Sequence, residues 1–190
     1  MSSLLIKSSH LDLWQALIQE AQLNSDIHLN EQLESYLVFL LMHFCDKPHV
    51  AHSILGLEFL ENFEPNNRKY WQLKEFGDKC LLFAGLFPER AVRKRVTLDY
   101  FVQLGQSAYG MLSQQTLKQE AALYEELCQT FVRLMDVLQA TREHTEQIVE
   151  TNFLAALSQW QHTGSQYALQ KLKTMHPHAV LREDKKQLPN

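Results

Sequence analysis

The sequence predicts an all-α protein, a compact bundle of about seven or eight helices. Leu, Gln, Glu and Ala are abundant, whereas prolines number only five and glycines six in 190 residues. Apolar residues recur at spacings of three and four, and no run alternates strictly between apolar and polar as a strand would. We therefore expect one helical domain over residues 1–181 and a polar, disordered tail over 182–190.

The first three predicted helices follow from caps and breaks. Ser9 is a suitable N-cap for a helix over about 10–23. Asn30 is a suitable N-cap for a second helix, which is apolar on most sides and ends near Cys45. Pro48 fits the first turn of a short third helix, followed by a loop over 62–68.

The next two predicted helices flank a proline. A fourth helix spans about 68–86 and ends before Pro88, because proline disfavours a helical residue before it. Thr97 fits as the cap of a fifth helix. Without a side chain at Gly105 and with only a methyl group at Ala108, this helix offers a face that a neighbour can approach closely.

The C-terminal half carries the clearest apolar stripe. A sixth helix is predicted over about 117–139, with Thr141 as the cap of a seventh. The break at 163–165 separates the seventh helix from a short eighth. The stripe of the sixth helix comprises Ala121, Tyr124, Leu127, Cys128, Phe131, Leu134, Met135 and Leu138.

Glycine placement is the most informative local feature. Four of the six glycines lie between positions 77 and 110, although each costs roughly 1 kcal/mol relative to alanine within a helix. Such glycines are best explained by close backbone approach. We expect segment 76–109 to be the densest part of the fold and its working surface.

Composition limits the classes of partner. The net charge of −4 gives no general attraction to nucleic acid or to an anionic membrane. No apolar run approaches the roughly 18 residues that span a bilayer, and the N-terminal apolar run is too short for a secretory signal. The three cysteines lie far apart in apolar patterns, which predicts buried thiols rather than disulfides. A cytoplasmic protein is expected.

A basic cluster at 90–95 is the main candidate binding feature. It could receive an acidic protein or a small anion, with Tyr100 and Tyr109 adding hydroxyl or stacking contacts. The alternative is a solvated turn between two helices. The four charged residues are Arg90, Arg93, Lys94 and Arg95.

Two carboxylates in the same region have alternative interpretations. Asp78 could act as a general base if it is buried, or could pair with an arginine of the basic cluster. Asp99 could also act as a general base, or it could complement the positive end of a helix dipole, because it lies just after Thr97. Structural roles are favoured for both carboxylates.

The sequence gives little support for a metal site or for a catalytic nucleophile. His49 and His52 are three apart on one helix face and are weak candidate metal ligands. No Glu-x-x-His pair and no Cys-x-x-Cys pair accompanies them. Ser107 lacks a nucleophile elbow, and burial would leave Cys80 inert. We therefore predict no metal and no cofactor.

Two segments carry a resemblance: Gly77-Asp78-Lys79-Cys80-Leu81-Leu82-Phe83-Ala84-Gly85-Leu86-Phe87-Pro88-Glu89, and the later Asp99 to Tyr109. Both resemble a group of bacterial hypothetical proteins of similar size. Trp160 with Thr163-Gly164-Ser165 is similar to that group's closing segment. The resemblance implies a bacterial cytoplasmic protein and assigns no activity or functional residue.

Two functional hypotheses follow. The first is a non-enzymatic binding or protein-interaction module that uses segment 76–109. The alternative is a helical-bundle enzyme or small-ligand carrier with a pocket between the fourth and fifth predicted helices, lined by Tyr100, Tyr109, Cys80 and histidines of the second and third. An exposed apolar patch would also be consistent with a homodimer interface.

Overall fold

A computed structural model describes residues 2–46, 70–93, 96–145 and 153–175. These ranges contain nine α-helices and no strand, which confirms the all-α prediction. The predicted third helix, the loop at 62–68 and the tail lie outside the described residues. The helices are α1 Ser2–Ser25, α2 Glu31–Asp46, α3 Tyr70–Leu86, α4 Pro88–Arg93, α5 Leu98–Gln115, α6 Lys118–Gln129, α7 Phe131–Thr145, α8 Phe153–Thr163 and α9 Gln166–Met175.

The centre of the bundle is formed by α3, α5 and α7. Along α3, Gly77 faces Tyr109 and Cys80 faces Gly105, so these two helices run antiparallel. The remaining helices surround them: α1 packs against α7 and α2, α6 against α5, and α8 against α9 and α5. The end of α3, the whole of α4 and the start of α5 therefore share one end of the bundle.

The predicted cap of α2 is confirmed. The side-chain oxygen of Asn30 accepts a hydrogen bond from the backbone N–H of Leu33 at 2.9 Å, which satisfies one of the free donors at the helix start. The Asn30 amide also donates to Glu126 on α6 at 2.5 Å. This cap consequently ties the start of α2 to a helix distant in sequence.

The starting points of two helices, α1 and α4, differ from prediction. Ser9 lies inside α1, which already begins at Ser2, so Ser9 is not a cap. Pro88 ends α3 as predicted, but it also opens α4. Proline fits the first position of a helix because the N–H it lacks would have no intrahelical partner there. Part of the expected basic turn is therefore helical.

The predicted sixth helix is two helices. A break at Thr130 separates α6 from α7, although the apolar spacing continues unchanged across it. Thr141 is not a cap, because it lies within α7 and its hydroxyl donates to the Val137 carbonyl at 2.8 Å. Thr97 does occupy the N-cap position of α5, but its side chain makes no capping hydrogen bond.

Close packing explains most of the clustered glycines. A methyl group at Gly105 would lie 2.3 Å from a ring carbon of Phe131, and one at Gly77 would lie 2.7 Å from the Tyr109 ring. Both distances are far below van der Waals contact. Gly110 differs, since a methyl group there would meet only the Cys128 sulfur at an ordinary 3.8 Å.

Among the described residues, no helix combines the length and apolar character required to cross a bilayer. The cysteine prediction is correct in part. All three are free thiols, with Cys80 buried and Cys128 half-buried, but Cys45 is exposed.

Replacing Gly105 by alanine should lower the free energy of unfolding by about 1–3 kcal/mol, because the new methyl group overpacks against Phe131. Gly110→Ala is the matched control in the same helix and should raise stability by up to about 1 kcal/mol through helix propensity. Urea unfolding of both variants measures the difference. Equal effects from the two substitutions would contradict the close-approach interpretation.

Candidate functional site

Asp78 lies at the centre of a polar cluster inside the bundle. One carboxylate oxygen, Oδ1, accepts hydrogen bonds from the hydroxyls of Tyr36 at 2.5 Å and Tyr109 at 2.8 Å. Asp78 is only 9% exposed and Tyr109 is fully buried. The donors come from α2 and α5, so the carboxylate on α3 joins three helices.

The second oxygen of Asp78 faces a cation. The ammonium group of Lys74 lies 2.6 Å from Oδ2 and 5.1 Å from the centre of the Tyr36 ring. In the described part of the chain, Asp78 pairs with a lysine one helical turn earlier and not with Arg90, the one residue of the basic cluster whose side chain the structure describes. An i, i+4 partner is always within reach on a helix, whereas Arg90 is not.

Two further tyrosines extend the cluster. The rings of Tyr109 and Tyr124 stack with their centres 6.2 Å apart. The hydroxyl of Tyr124 in turn lies 2.5 Å from that of Tyr70. Four tyrosines from α2, α3, α5 and α6 thus form one connected cluster, in which Tyr36 and Tyr109 bind the carboxylate directly.

Tyr36 and Tyr109 remain protonated donors. Burial, followed by the negative charge of Asp78, raises the pKa of both Tyr36 and Tyr109 well above the ordinary value of 10.0. Burial likewise raises the pKa of the Cys80 thiol, which agrees with the prediction that this cysteine is inert.

The local sequence accounts for this geometry. Lys74 and Asp78 share one face of α3 because they are four residues apart. Gly77 leaves space for the Tyr109 ring against the α3 backbone, which brings the Tyr109 hydroxyl within reach of the carboxylate. The glycine is therefore part of the site as well as of the packing.

Arg90 and Tyr100 belong to a different place. Asp78 lies eight residues before the end of α3, about 12 Å along the axis. Arg90 follows that end and is exposed, with its guanidinium 6.0 Å from the centre of the Phe87 ring. Tyr100, in the first turn of α5, is 45% exposed. The predicted site residues thus divide between the buried cluster and this end of the bundle.

The end that carries Arg90 is anchored from two sides. Arg142 on α7 donates to both carboxylate oxygens of Glu89, at 2.9 and 2.7 Å. Ala91 is fully buried, and its carbonyl accepts a hydrogen bond from the Val96 backbone N–H at 3.0 Å. The backbone on either side of the basic residues is therefore held in place.

The other predicted site residues make no chemical centre. Asp99 accepts a hydrogen bond from Gln103 at 2.6 Å, in keeping with a structural role. Arg93 is the last residue of α4, whereas Lys94, Arg95, His49 and His52 lie outside the described residues. No group of three potential metal ligands comes together in the described part of the chain.

Sequence reasoning missed a second buried carboxylate. Asp136 on α7 is 1% exposed and accepts hydrogen bonds from the Ser165 hydroxyl at 2.6 Å and the Tyr167 backbone N–H at 3.2 Å. Burial raises the pKa of Asp136 to about 6, although the hydrogen bonds from these donors act to lower it. The signal was an aspartate among the apolar residues Leu134, Met135, Val137 and Leu138.

The polar groups of the Asp78 cluster are hydrogen-bonded within the chain. In the described residues, no buried side-chain nitrogen or oxygen lacks a hydrogen-bond partner. Phe131 and Cys80 fill the space between α3 and α5 around Gly105. The cluster therefore cross-links helices and presents a single carboxylate oxygen, Oδ2, toward an ammonium group.

Replacing Tyr109 by phenylalanine should lower the free energy of unfolding by about 1.5–3 kcal/mol, because Asp78 then loses one of its charge-assisted hydrogen bonds. Tyr100→Phe, on the same helix but exposed, should change stability by less than about 0.5 kcal/mol. Chemical denaturation compares the two variants. A Tyr109→Phe effect as small as that of the control would show that the hydroxyl does not support Asp78.

Asp136→Asn should alter the pH dependence of stability. Since the folded pKa of about 6 exceeds the ordinary 3.8, the folded state keeps this proton longer than the unfolded state. Wild-type stability should therefore fall, relative to the variant, as the pH rises from about 4 to 6, by about 3 kcal/mol in total, and then level off. Unfolding curves at several pH values measure the difference, and a constant difference across that window would contradict the assignment.

Comparison with protein-family models, with curated proteins and with solved structures finds no significant match. The resemblance to bacterial hypothetical proteins thus stays a prediction.

Proposed function

We propose that this protein is a non-enzymatic interaction module of the bacterial cytoplasm. Its working surface is the end of the bundle formed by α4 and the first turn of α5, and its partner is a protein that presents an acidic segment. The observation that carries the proposal is the exposure of Arg90 and Tyr100 on an end whose backbone is anchored.

Charge and chemistry support an acidic partner. Arg90, Arg93, Lys94 and Arg95 follow one another closely in sequence, and guanidinium groups bind carboxylates through paired hydrogen bonds. Since the whole chain carries a net charge of −4, the attraction must be local and sensitive to salt. Tyr100 adds an amphipathic ring of the kind enriched at protein interfaces.

A filled interior favours a binding module over the alternative of an enzyme or carrier. The predicted pocket would lie between α3 and α5, yet Tyr109 and Cys80 are fully buried there and Phe131 packs against Gly105. His43, a histidine of the second predicted helix, is exposed. The free thiols at all three cysteines accord with the reducing compartment that the proposal names.

Removing two charges from this end should weaken binding of a fluorescein-labelled peptide of glutamates. We expect Arg90→Ala with Arg93→Ala to raise the Kd about five- to tenfold and to change stability by less than about 0.5 kcal/mol. Fluorescence anisotropy at low and physiological salt measures the Kd, which should rise with salt in the wild type.

The matched control is Lys118→Ala with Lys173→Ala, which removes two exposed charges from α6 and α9. It should leave the Kd close to that of the wild type. Equal weakening by both double variants would mean that binding follows net charge alone and would contradict a site at α4. Phosphate competing as well as the peptide would assign the end to small anions instead of an acidic protein segment.

A further inference from the structure

The Lys74–Asp78 contact differs from an ordinary surface ion pair. In such pairs on a helix, an acidic residue preceding the basic one is the more stabilising order, and here the order is reversed. The Lys74 side chain is 38% exposed, whereas that of Asp78 is 13% exposed. A partly exposed ammonium group thus contacts the edge of a largely desolvated carboxylate.

The carboxylate is held ready for a cation. Tyr36 and Tyr109 donate only to Oδ1, which leaves Oδ2 facing the ammonium group. Both hydroxyls are fixed from behind, because the Tyr109 ring packs against Gly77 and meets the Tyr36 ring edge to face at 6.4 Å. These contacts do not involve Lys74, so the two hydroxyls keep their positions whether or not its ammonium group is present.

An aromatic face completes the position. The Lys74 ammonium lies 5.1 Å from the centre of the Tyr36 ring, within the range of a cation–π interaction. A hydrogen-bond acceptor at 2.6 Å and an aromatic ring together form a receptor for an N–H-bearing cation. The geometry suits a primary alkylammonium, because a quaternary ammonium has no N–H to donate to Oδ2.

We propose that Asp78, Tyr36 and Tyr109 form a binding site for a primary alkylammonium group, which Lys74 of the same chain occupies until an external ammonium displaces it. The site lies about 12 Å from the basic end along α3 and takes a ligand of opposite charge, so it goes beyond the proposed function. Lys74 is an internal competitor with a high effective concentration, and its removal should strengthen external binding.

The test titrates n-butylammonium into the wild type and into Lys74→Met, followed by the NMR resonances of the Tyr36 and Tyr109 rings. Saturable shifts are expected in both, with an apparent Kd at least about tenfold lower in Lys74→Met because the competitor is gone. Lys74→Gln provides a second vacated site if the methionine variant does not fold.

Three controls separate this site from general effects. Tetramethylammonium and n-butanol should give no saturable shift, because the first lacks an N–H donor and the second lacks a charge. Asp78→Asn combined with Lys74→Met should lose most of the response to n-butylammonium. Saturable shifts from tetramethylammonium equal to those from n-butylammonium, or no shift with either Lys74 variant, would overturn the proposal.

A second ligand distinguishes two sources of the ammonium group, a lysine of a partner protein and a free amine. A peptide with one lysine and no other charge is compared with n-butylammonium on the wild type. If the peptide binds at least about tenfold more tightly than n-butylammonium, the site is assigned to a lysine of a partner protein. If the peptide binds equally or more weakly, the site is assigned to free amines. Both results support the site, whereas absence of binding by both ligands overturns it.

Discussion

The buried carboxylate of Asp78 constrains the arrangement of the helices around it. An ionised group removed from water is costly unless nearby donors replace its hydration, and its donors here come from α2, α3 and α5. Moving one of these helices by a single turn relative to the others would remove at least one hydrogen bond from this buried charge. The polar cluster therefore fixes a register that apolar packing, which is tolerant of small slips, would specify less strictly.

Side-chain volume makes that cluster possible. Because Gly77 leaves space for the Tyr109 ring and Gly105 leaves space for Phe131, α5 can pack closely against both α3 and α7. The polar and apolar parts of the core thus depend on each other. The basic end is separate from both, since its anchoring comes from the Glu89–Arg142 pair and from buried Ala91.

Local patterns predicted most helices, the Asn30 cap and the dense glycine segment, because each depends on residues within a few turns. The break at Thr130 could not be found, since threonine is no strong helix breaker and the apolar spacing runs through it. Asp78 and Tyr109 were both named as candidates, but Tyr36 comes from 42 positions away. Only tertiary packing brings it to the carboxylate, whereas Lys74 lies four positions from Asp78 and was a local signal that sequence reasoning overlooked.

The contact between Gly105 and Phe131 carries an evolutionary consequence. The two positions share one volume, so a larger residue at 105 becomes tolerable only when 131 shrinks. Selection would act on the pair, and substitutions at the two positions should appear together in descendants of this chain. Such coupled change would trace the α5–α7 contact in sequences whose structures have not been determined.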